Sequence, residues 1–273
     1  MAPGNDISQF VAAAEEAAQA AGSLIRDSWQ QVKQIQYKSS IDLVTTIDHQ
    51  SEERIVSILH KRFPAHSILA EEETNIVGQK GEHRWIIDPV DGTTNFAHAY
   101  PHFCVSIALE YAGEIILGLV YDPIKEEKFS AVRGQGAFLN GGQIHTTKEA
   151  ELGKALLATG FPYDRRQKVD FYISFFKDFM LSCQCIRRNG SAALDLCYVA
   201  CGRMDGFWEF GLNPWDTAAG SLMVQEAGGT MIDFSGNAFS IWKKEALASN
   251  GRIHDSMLRI MQKTRQVDSP TVG

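Results

Sequence analysis

The sequence lacks the features that mark several classes of protein. No apolar run approaches the ~18 residues that a membrane helix needs. Glu15 and Glu16 interrupt the N-terminal stretch in which a secretion signal would carry its apolar core. The 26 basic residues form no block among the 33 acidic ones, and the net charge is −7, so nothing favours nucleic acid. We therefore expect a cytoplasmic protein with no membrane span and no evident nucleic-acid partner.

Cysteine is scarce, and the five present are an odd number. Without a secretion signal, we expect them to be reduced thiols. The spacings Cys183-x-Cys185 and Cys197-x₃-Cys201 are not those of zinc sites. The sequence also lacks a phosphate-binding loop that ends in Gly-Lys-Ser or Gly-Lys-Thr, and the Gly-x-Gly of residues 134–136 is too short for a dinucleotide fingerprint. Zinc, ATP and NAD are therefore unsupported as cofactors.

Apolar residues are abundant, at 44% of 273 residues, which is enough for a large core. Helices and a glycine-punctuated strand meander are predicted over residues 1–150, and helix alternates with strand over residues 151–265. We expect a single α/β domain, 1–265, made of an N-terminal α+β lobe and a C-terminal α/β lobe with these bounds. Residues 266–273 are predicted to form a flexible tail.

The most informative stretch runs over residues 85–96. Its apolar start predicts a buried strand, which should end at Asp88 because Pro89 cannot donate to a ladder. Asp88 and Asp91 then flank a short bend that can bring both carboxylates to one point, with the Val90 carbonyl between them. Hard oxygen ligands of this kind suit Mg²⁺.

The same stretch continues with residues that suit an anion. Gly92 lets the backbone approach a ligand closely. Residues 93–95 can open a helix, and the free N–H groups of its first turn would face a phosphate. The alternative is that Asp91 and Gly92 form a hairpin turn between two strands, which would need no metal.

Other acids stand at the ends of predicted elements. Residues 71–73 are three glutamates that follow a short strand, and Asp48 and Asp216 stand near helix starts. A solvated loop and ordinary helix capping explain them without any chemistry. However, α/β proteins place their sites at the carboxyl ends of strands. Two strand ends that carry acids, one before residues 71–73 and one at Asp88, lie fewer than twenty residues apart and therefore favour a shared site.

The second half offers two more candidates. Glu209 ends a predicted strand, and Gly190 and Ser191 precede a predicted helix. A glycine followed by serine at a helix start is suited to bind an anion or a hydroxyl group, although simple capping is the alternative.

With these residues placed, the chain resembles the inositol monophosphatase family over nearly its whole length. Glu71-Glu72 is similar to the family's acidic pair, and residues 85–96 are similar to its first signature. Residues 215–220, followed by 226–229, are similar to its second signature. Two long signatures in the right order are more specific than any short motif.

The resemblance implies a layered α-β-α-β-α sandwich of the sugar phosphatase type, with mixed sheets and paired helices. The family is usually lithium-sensitive and homodimeric, so the resemblance implies both properties for this chain. The implied reaction is Mg²⁺-dependent hydrolysis of a phosphate monoester, above all myo-inositol monophosphate, by direct attack of a metal-activated water. Alternatives are a fructose-1,6-bisphosphatase, a phosphoadenosine phosphate phosphatase, a histidinol phosphatase, or a catalytically silent member that binds a protein partner.

The resemblance also implies a site with two to three Mg²⁺ ions. The implied metal ligands are Glu71, Asp88, the Val90 carbonyl, Asp91 and Asp216. The implied phosphate donors are the N–H groups of Gly92 and Thr93, and the water would be oriented by Glu71 and Thr93, with Asp48 behind Thr93. The implied polyol contacts are Glu209, Ser191 and Ala192, and Lys38 is similar to a basic loop residue through an alignment with a gap of one.

Overall fold

The computed structural model describes residues 7–29, 35–37, 43–78 and 82–268. Its helices are α1 (Ile7–Ser28), α2 (Thr46–Arg62), α3 (Thr93–Ala97), α4 (Val169–Met180), α5 (Ala192–Ala200), α6 (Pro214–Glu226) and α7 (His254–Asp268). Its strands are β1 (Ile35–Tyr37), β2 (Leu43–Thr45), β3 (Ser67–Ala70), β4 (Asn75–Ile76), β5 (His83–Asp91), β6 (Cys104–Tyr111), β7 (Glu114–Asp122), β8 (Glu127–Val132), β9 (Gly136–Leu139), β10 (Gly142–Ile144), β11 (Leu156–Thr159), β12 (Cys185–Arg187), β13 (Gly206–Phe210), β14 (Thr230–Ile232) and β15 (Glu245–Ser249).

Two large sheets carry the fold. The first has eight strands in the order β10-β9-β8-β7-β6-β5-β3-β4, and only β3 and β5 pair in parallel among these described strands. The second has five strands in the order β12-β11-β13-β15-β14, in which β11 is parallel to both of its neighbours. The remaining pairs of the second sheet are antiparallel. Both sheets are therefore mixed, as the resemblance implies.

The helices pack in pairs on the faces of the sheets. Helices α1 and α2 pack together and cover one face of the first sheet, through β5, β6 and β7. Helices α5 and α6 lie between the sheets, because α6 contacts β5 to β8 while α5 contacts β11, β13 and β15. Helices α4 and α7 pair on the far side of the second sheet. This order of layers confirms the predicted α-β-α-β-α sandwich.

Residue character follows these layers. Neighbouring residues of a strand point to opposite faces, so Phe207 packs in the core around α5 and α6, whereas Trp208 packs in the core beneath α4 and α7. Helix α5 is buried along its whole length, as expected for a helix between two sheets. On α1, the buried face is a row of small side chains that includes Ala14, Ala18 and Ala21, which allows close packing of α2.

Strand β5 corrects one expectation, since it does not end at Asp88 but continues through Pro89 to Asp91. Asp88 pairs with Ser106 and Asp91 pairs with Cys104, so three steps on β5 oppose two steps on β6. The extra residue on β5 creates a β-bulge. A bulge tolerates proline, because the extra residue does not take part in the hydrogen bonds of the ladder. The bulge also shifts the alternation of side chains, which brings both carboxylates to one face of the sheet.

The end of the chain also differs from the expectation. Helix α7 runs to Asp268 and therefore occupies part of the stretch 266–273, for which the sequence predicts a tail. Residues 269–273 lie outside the described part of the chain. Among the helices that the structure describes, none combines the length and the apolarity needed to cross a bilayer.

Candidate active site

A cleft of about 440 Å³ receives residues from both large sheets and from the helices between them. The predicted site residues that line it are Glu71, Asp88, Val90, Asp91, Gly92, Thr93, Ser191, Ala192, Glu209 and Asp216. Asp48 is buried and lies close to this wall, since its charge contributes to the raised pKa of Glu71. Lys38 lies outside the described residues. The fold therefore joins acids that are distant in the sequence.

The turn after β5 is a strand-to-helix turn and not the hairpin that the sequence left open. Gly92 has a φ of 102° and directly precedes α3. A Cβ atom there would lie 3.0 Å from the His102 carbonyl oxygen, so both the backbone conformation and the close packing require glycine. The Thr93 hydroxyl donates to the Val90 carbonyl at 3.1 Å. The turn thus presents the Asp91 carboxylate and the first N–H groups of α3 to one cleft.

Helix α2 holds the acidic loops in place, a role that the sequence did not reveal. The Glu52 carboxylate accepts the backbone N–H groups of residues 72–74 at 2.8 to 3.0 Å. The Ser51 hydroxyl donates to the Pro89 carbonyl at 3.0 Å. Both residues lie three to four positions after Asp48, on one side of the helix. That helical spacing from Asp48 is the signal in the sequence for the role of Ser51 and Glu52.

Two acids reach the cleft from the second half of the chain. Asp216 lies in the first turn of α6 and accepts the Asn213 N–H at 2.6 Å, so the capping alternative is correct but does not exclude a place in the cleft. Glu209 lies near the end of β13, against Gly160, where a Cβ atom would approach the Glu209 carboxylate oxygen to 2.0 Å. The absence of a side chain at Gly160 therefore makes room for the Glu209 carboxylate.

Burial raises the pKa of each acid at the floor of the cleft. It raises the pKa of Asp216 to about 7 and the pKa of Asp91 to about 6. The pKa values of Glu71 and Asp88 lie well above their ordinary range, because the charges of neighbouring acids add to the effect of burial. Glu71 and Asp88 also share a hydrogen bond. These shifts show how closely the carboxylates crowd together.

Arg188 offsets part of this negative charge. It lines the cleft, and its guanidinium acts to lower the pKa of Asp91, Asp195 and Glu209. Burial nevertheless raises the pKa of Asp195 to about 8 and places the pKa of Glu209 well above its ordinary range. This end of the cleft therefore combines a permanent cation, which donates hydrogen bonds, with carboxyl groups that can accept or donate them, a combination that suits hydroxyl groups.

The donor atoms of the cleft fit a hard divalent cation. They are carboxylate oxygens and one backbone carbonyl, and a cation would relieve the repulsion that raises their pKa values. In the ranges that the structure describes, however, no three His, Cys, Asp or Glu side chains are already gathered around one metal position. Several carboxylates bond to protein groups, such as Asp91 to Ser191 and Asp216 to Asn213.

Several residues of the cleft are not among the site residues that the sequence predicts. Tyr163 and Arg165 belong to a 3-10 turn, Tyr163–Arg166, that follows β11. Asn95 on α3 donates to the Asn189 carbonyl at 2.8 Å and so ties the first acidic turn to the loop before α5. Asn95 lies inside the stretch 85–96, and that position in the sequence indicates that it belongs to the site. For Arg165 no local pattern exists, because only the tertiary fold brings it to the cleft.

Comparison with known proteins agrees with this geometry. The model of the inositol monophosphatase family matches residues 6–266. An inositol-1-monophosphatase of Synechocystis sp. is 43% identical over 263 residues, 96% of this chain and 92% of the relative. The Nus factor SuhB of Pseudomonas aeruginosa is 44% identical over 252 residues, 90% of this chain and 93% of the relative. The structure of an inositol monophosphatase from Anabaena matches with a TM-score of 0.86 and 42% identity, covering 94% and 96% of the two chains.

The layered sandwich and its acidic cleft define a sugar-phosphatase type of α/β protein. The chain belongs to the inositol monophosphatase family. This confirms the resemblance that rested on the two signatures and the acidic pair. Membership of the family supports a phosphatase activity.

Proposed function

We propose that this protein is a Mg²⁺-dependent phosphate monoesterase whose preferred substrate is myo-inositol monophosphate. The observation that carries the proposal is the meeting of three kinds of group in one cleft. Carboxylates line its floor, the backbone of Gly92 and Thr93 reaches it, and Glu209 lies in the same wall. A cation, a phosphate and a polyol hydroxyl would each find suitable partners there.

The proposed metal ligands are the oxygens of Glu71, Asp88, Val90, Asp91 and Asp216. Mg²⁺ held by them would supply positive charge to the phosphoryl oxygens and make a bound water more acidic. Hydrolysis of a phosphate monoester is extremely slow without a catalyst, so a large reduction of the barrier is needed. A site built from hard oxygen ligands suits that demand.

The chain's own groups position the reactants. The N–H groups of Gly92 and Thr93 would bind the phosphate, and Glu71 would orient the attacking water. The Thr93 hydroxyl donates to the Val90 carbonyl, so its oxygen can accept a hydrogen bond from that water, with Asp48 close to Glu71 behind it. Since water attacks directly and no side chain serves as nucleophile, we expect inversion at phosphorus.

The polyol end of the site would be formed by Glu209 and Ala192. Glu209 is an acid that the proposed metal set does not use, and its carboxylate can accept hydrogen bonds from substrate hydroxyls. Few residues of the proposed site would contact the polyol end of the substrate. Fructose-1,6-bisphosphate, phosphoadenosine phosphate and histidinol phosphate therefore remain alternative substrates.

The name Nus factor, carried by the Pseudomonas relative, favours a second candidate function. In that case the chain would bind a protein partner in transcription, with or without catalysis. An acid is present at every position whose side chain is a proposed metal ligand. This favours catalysis, because a silent binding module would have no need to keep buried, mutually repelling carboxylates.

Two further features belong to the proposal and come from the family resemblance. We propose a homodimer, which light scattering of the purified chain would test. We also propose inhibition by Li⁺ that is uncompetitive or mixed, because Li⁺ would occupy a metal site after turnover. A monomer over a wide range of concentrations, or rates that no dose of Li⁺ changes, would contradict these features.

Phosphate release from a panel of esters tests the main proposal. The panel contains inositol 1-phosphate, the three alternative substrates and p-nitrophenyl phosphate, each with and without Mg²⁺. We expect the highest kcat/KM with inositol 1-phosphate and no turnover without the metal. Release from another ester at a higher kcat/KM would change the substrate, whereas no release from any ester would favour the binding role.

A further inference from the structure

Ser191 is bonded to the proposed metal ligand Asp91. Its side chain is 1% exposed, and its hydroxyl donates to Asp91 Oδ2 at 2.7 Å. The N–H group of Ala193 donates to the same oxygen, also at 2.7 Å. Two donors from the start of α5 therefore fix one oxygen of the carboxylate and restrain its rotation.

The other bonds of Ser191 hold its hydroxyl in this direction. The Ser191 oxygen accepts the Leu194 N–H at 3.3 Å, as the N-cap of α5, and Cys104 Sγ lies 3.6 Å from it. Since the single hydroxyl hydrogen goes to Asp91, the Cys104 thiol must be the donor of the second contact. Ser191 therefore could not bond to a polyol as a donor without giving up Asp91.

The contact also crosses between layers of the fold. Asp91 belongs to β5 of the first sheet, whereas Ser191 begins α5 in the middle layer, which also contains α6 and Asp216. The bond from Asn95 to the Asn189 carbonyl links the same two segments a second time. These bonds hold Asp91 in a fixed relation to the layer that carries Asp216.

We propose that Ser191 is a positioning residue that orients the Asp91 carboxylate for a divalent cation. In this role it does not bind the polyol, in contrast to the part that the family resemblance implies for it. The inference rests on the proposed function, because it takes Asp91 to be a ligand of Mg²⁺. Groups that orient a metal ligand typically contribute 10- to 100-fold to metal affinity.

Calorimetric titration of the full chain with Mg²⁺ alone, without substrate, tests the inference. We expect Ser191→Ala to weaken Mg²⁺ binding about 10- to 100-fold, and Ser191→Thr, which keeps the hydroxyl, to restore it. Thr264→Ala is the matched control, because Thr264 is 3% exposed and its hydroxyl donates to Asp178 Oδ2 at 2.7 Å, between α7 and α4. We expect the control to bind Mg²⁺ like the wild type.

Kinetics at saturating Mg²⁺ separate positioning from substrate binding. If Ser191 positions Asp91, the KM for inositol 1-phosphate stays near the wild-type value in Ser191→Ala. An unchanged Mg²⁺ affinity with a raised KM would overturn the proposal in favour of a polyol contact. Equal weakening in Thr264→Ala, or no recovery in Ser191→Thr, would also overturn it. If the wild type binds Mg²⁺ but hydrolyses no ester, the proposed function fails while the titration still decides the role of Ser191.

Discussion

Glu209 offers a direct test of how the substrate is selected. Glu209→Gln replaces one carboxyl oxygen with an NH₂ group and keeps one acceptor oxygen, and a buried hydrogen-bonding group left without its partner costs about 1–3 kcal/mol. We therefore expect kcat/KM for inositol 1-phosphate to fall roughly ten- to a hundredfold. Turnover of p-nitrophenyl phosphate, which lacks the hydroxyls, and the dependence on Mg²⁺ should stay nearly the same. Equal losses with both substrates would place Glu209 in the metal site or in folding.

Gly160 leaves the space that the Glu209 carboxylate occupies, so a side chain at position 160 should displace that carboxylate. Alanine at this position would bring Cβ to 2.0 Å from Glu209 Oε1, so the flexible end of the glutamate must move. We expect Gly160→Ala to lower kcat/KM for inositol 1-phosphate roughly tenfold or more, with little change with p-nitrophenyl phosphate. Gly153→Ala is the control, because a Cβ atom at Gly153 would have no contact within 4 Å. A uniform loss with both substrates in Gly160→Ala would contradict this selective effect.

At the scale of single residues, the sequence predicts those site residues that are near one another along the chain. Asp88, Asp91 and Gly92 lie within five residues, so their shared chemistry can be recognised without a fold. The hydrogen bond between Ser191 and Asp91 joins residues 100 positions apart, and no local sequence pattern predicts it. From the sequence, the resemblance implies a substrate contact for Ser191, and its bond to Asp91 is visible only in the structure.

At the scale of elements, β5 shows where a local rule fails. Proline is correctly excluded from a regular ladder, but β5 continues through a bulge at Pro89. Bulges depend on the register with the partner strand, and that register is set by β6, which the local sequence of β5 does not specify. The bulge is also what places Asp88 and Asp91 on one face, so the irregular part of the strand is the part that builds the site.

Helix α2 should be essential to the loop that carries Glu71. Glu52→Gln replaces one of the two acceptor oxygens with an NH₂ group, which would face at least one of the N–H donors of residues 72–74. We expect a loss of about 1.5–3 kcal/mol in the free energy of unfolding, measured by urea denaturation. Phosphate release should fall as well, because the loop no longer holds Glu71 against Asp88.

Glu53→Gln is the matched control for this change, since Glu53 is the next residue of α2 and is exposed. It should leave both the unfolding free energy and phosphate release near wild-type values. If Glu52→Gln behaves like the control, the three hydrogen bonds contribute nothing measurable. If it loses stability but keeps full activity at temperatures where it is folded, the loop does not need Glu52 to place Glu71.

At the scale of the whole molecule, the class of fold was predictable and the strand order was not. The sequence predicts that helix alternates with strand in the second half, which is typical of the α/β class, and the structure adds that β11 is parallel to both its neighbours. The order β12-β11-β13-β15-β14 depends on side-chain packing across layers, such as Phe207 toward α5 and Trp208 toward α4. The family resemblance implies the layers and the mixed sheets, whereas the strand order is contained neither in that resemblance as stated nor in residue periodicity.

Histidine burial should shape the response of the whole molecule to acid. His66 is stacked between Phe63 and His83, with ring centroids at 5.0 and 4.5 Å. Burial, with a smaller contribution from His83, lowers the pKa of His66 from 6.5 to about 4. The unfolded chain therefore binds a proton more readily, so the contribution of neutral His66 is complete above pH 6.5 and is lost as pH falls through about 4.

His66→Phe keeps an aromatic ring in the stack but cannot take up a proton. The test compares the melting temperatures of this variant and of the wild type from above pH 6.5 down to about pH 4. We expect a constant difference above pH 6.5 and a growing advantage of the variant between pH 6.5 and about 4. The buried acids of the cleft change stability in the opposite direction over this range, but they titrate in both proteins and so cancel in the comparison. His60→Phe, on the exposed side of α2, is the control and should show no such divergence. Parallel curves for His66→Phe and the wild type would mean that His66 does not contribute to acid unfolding.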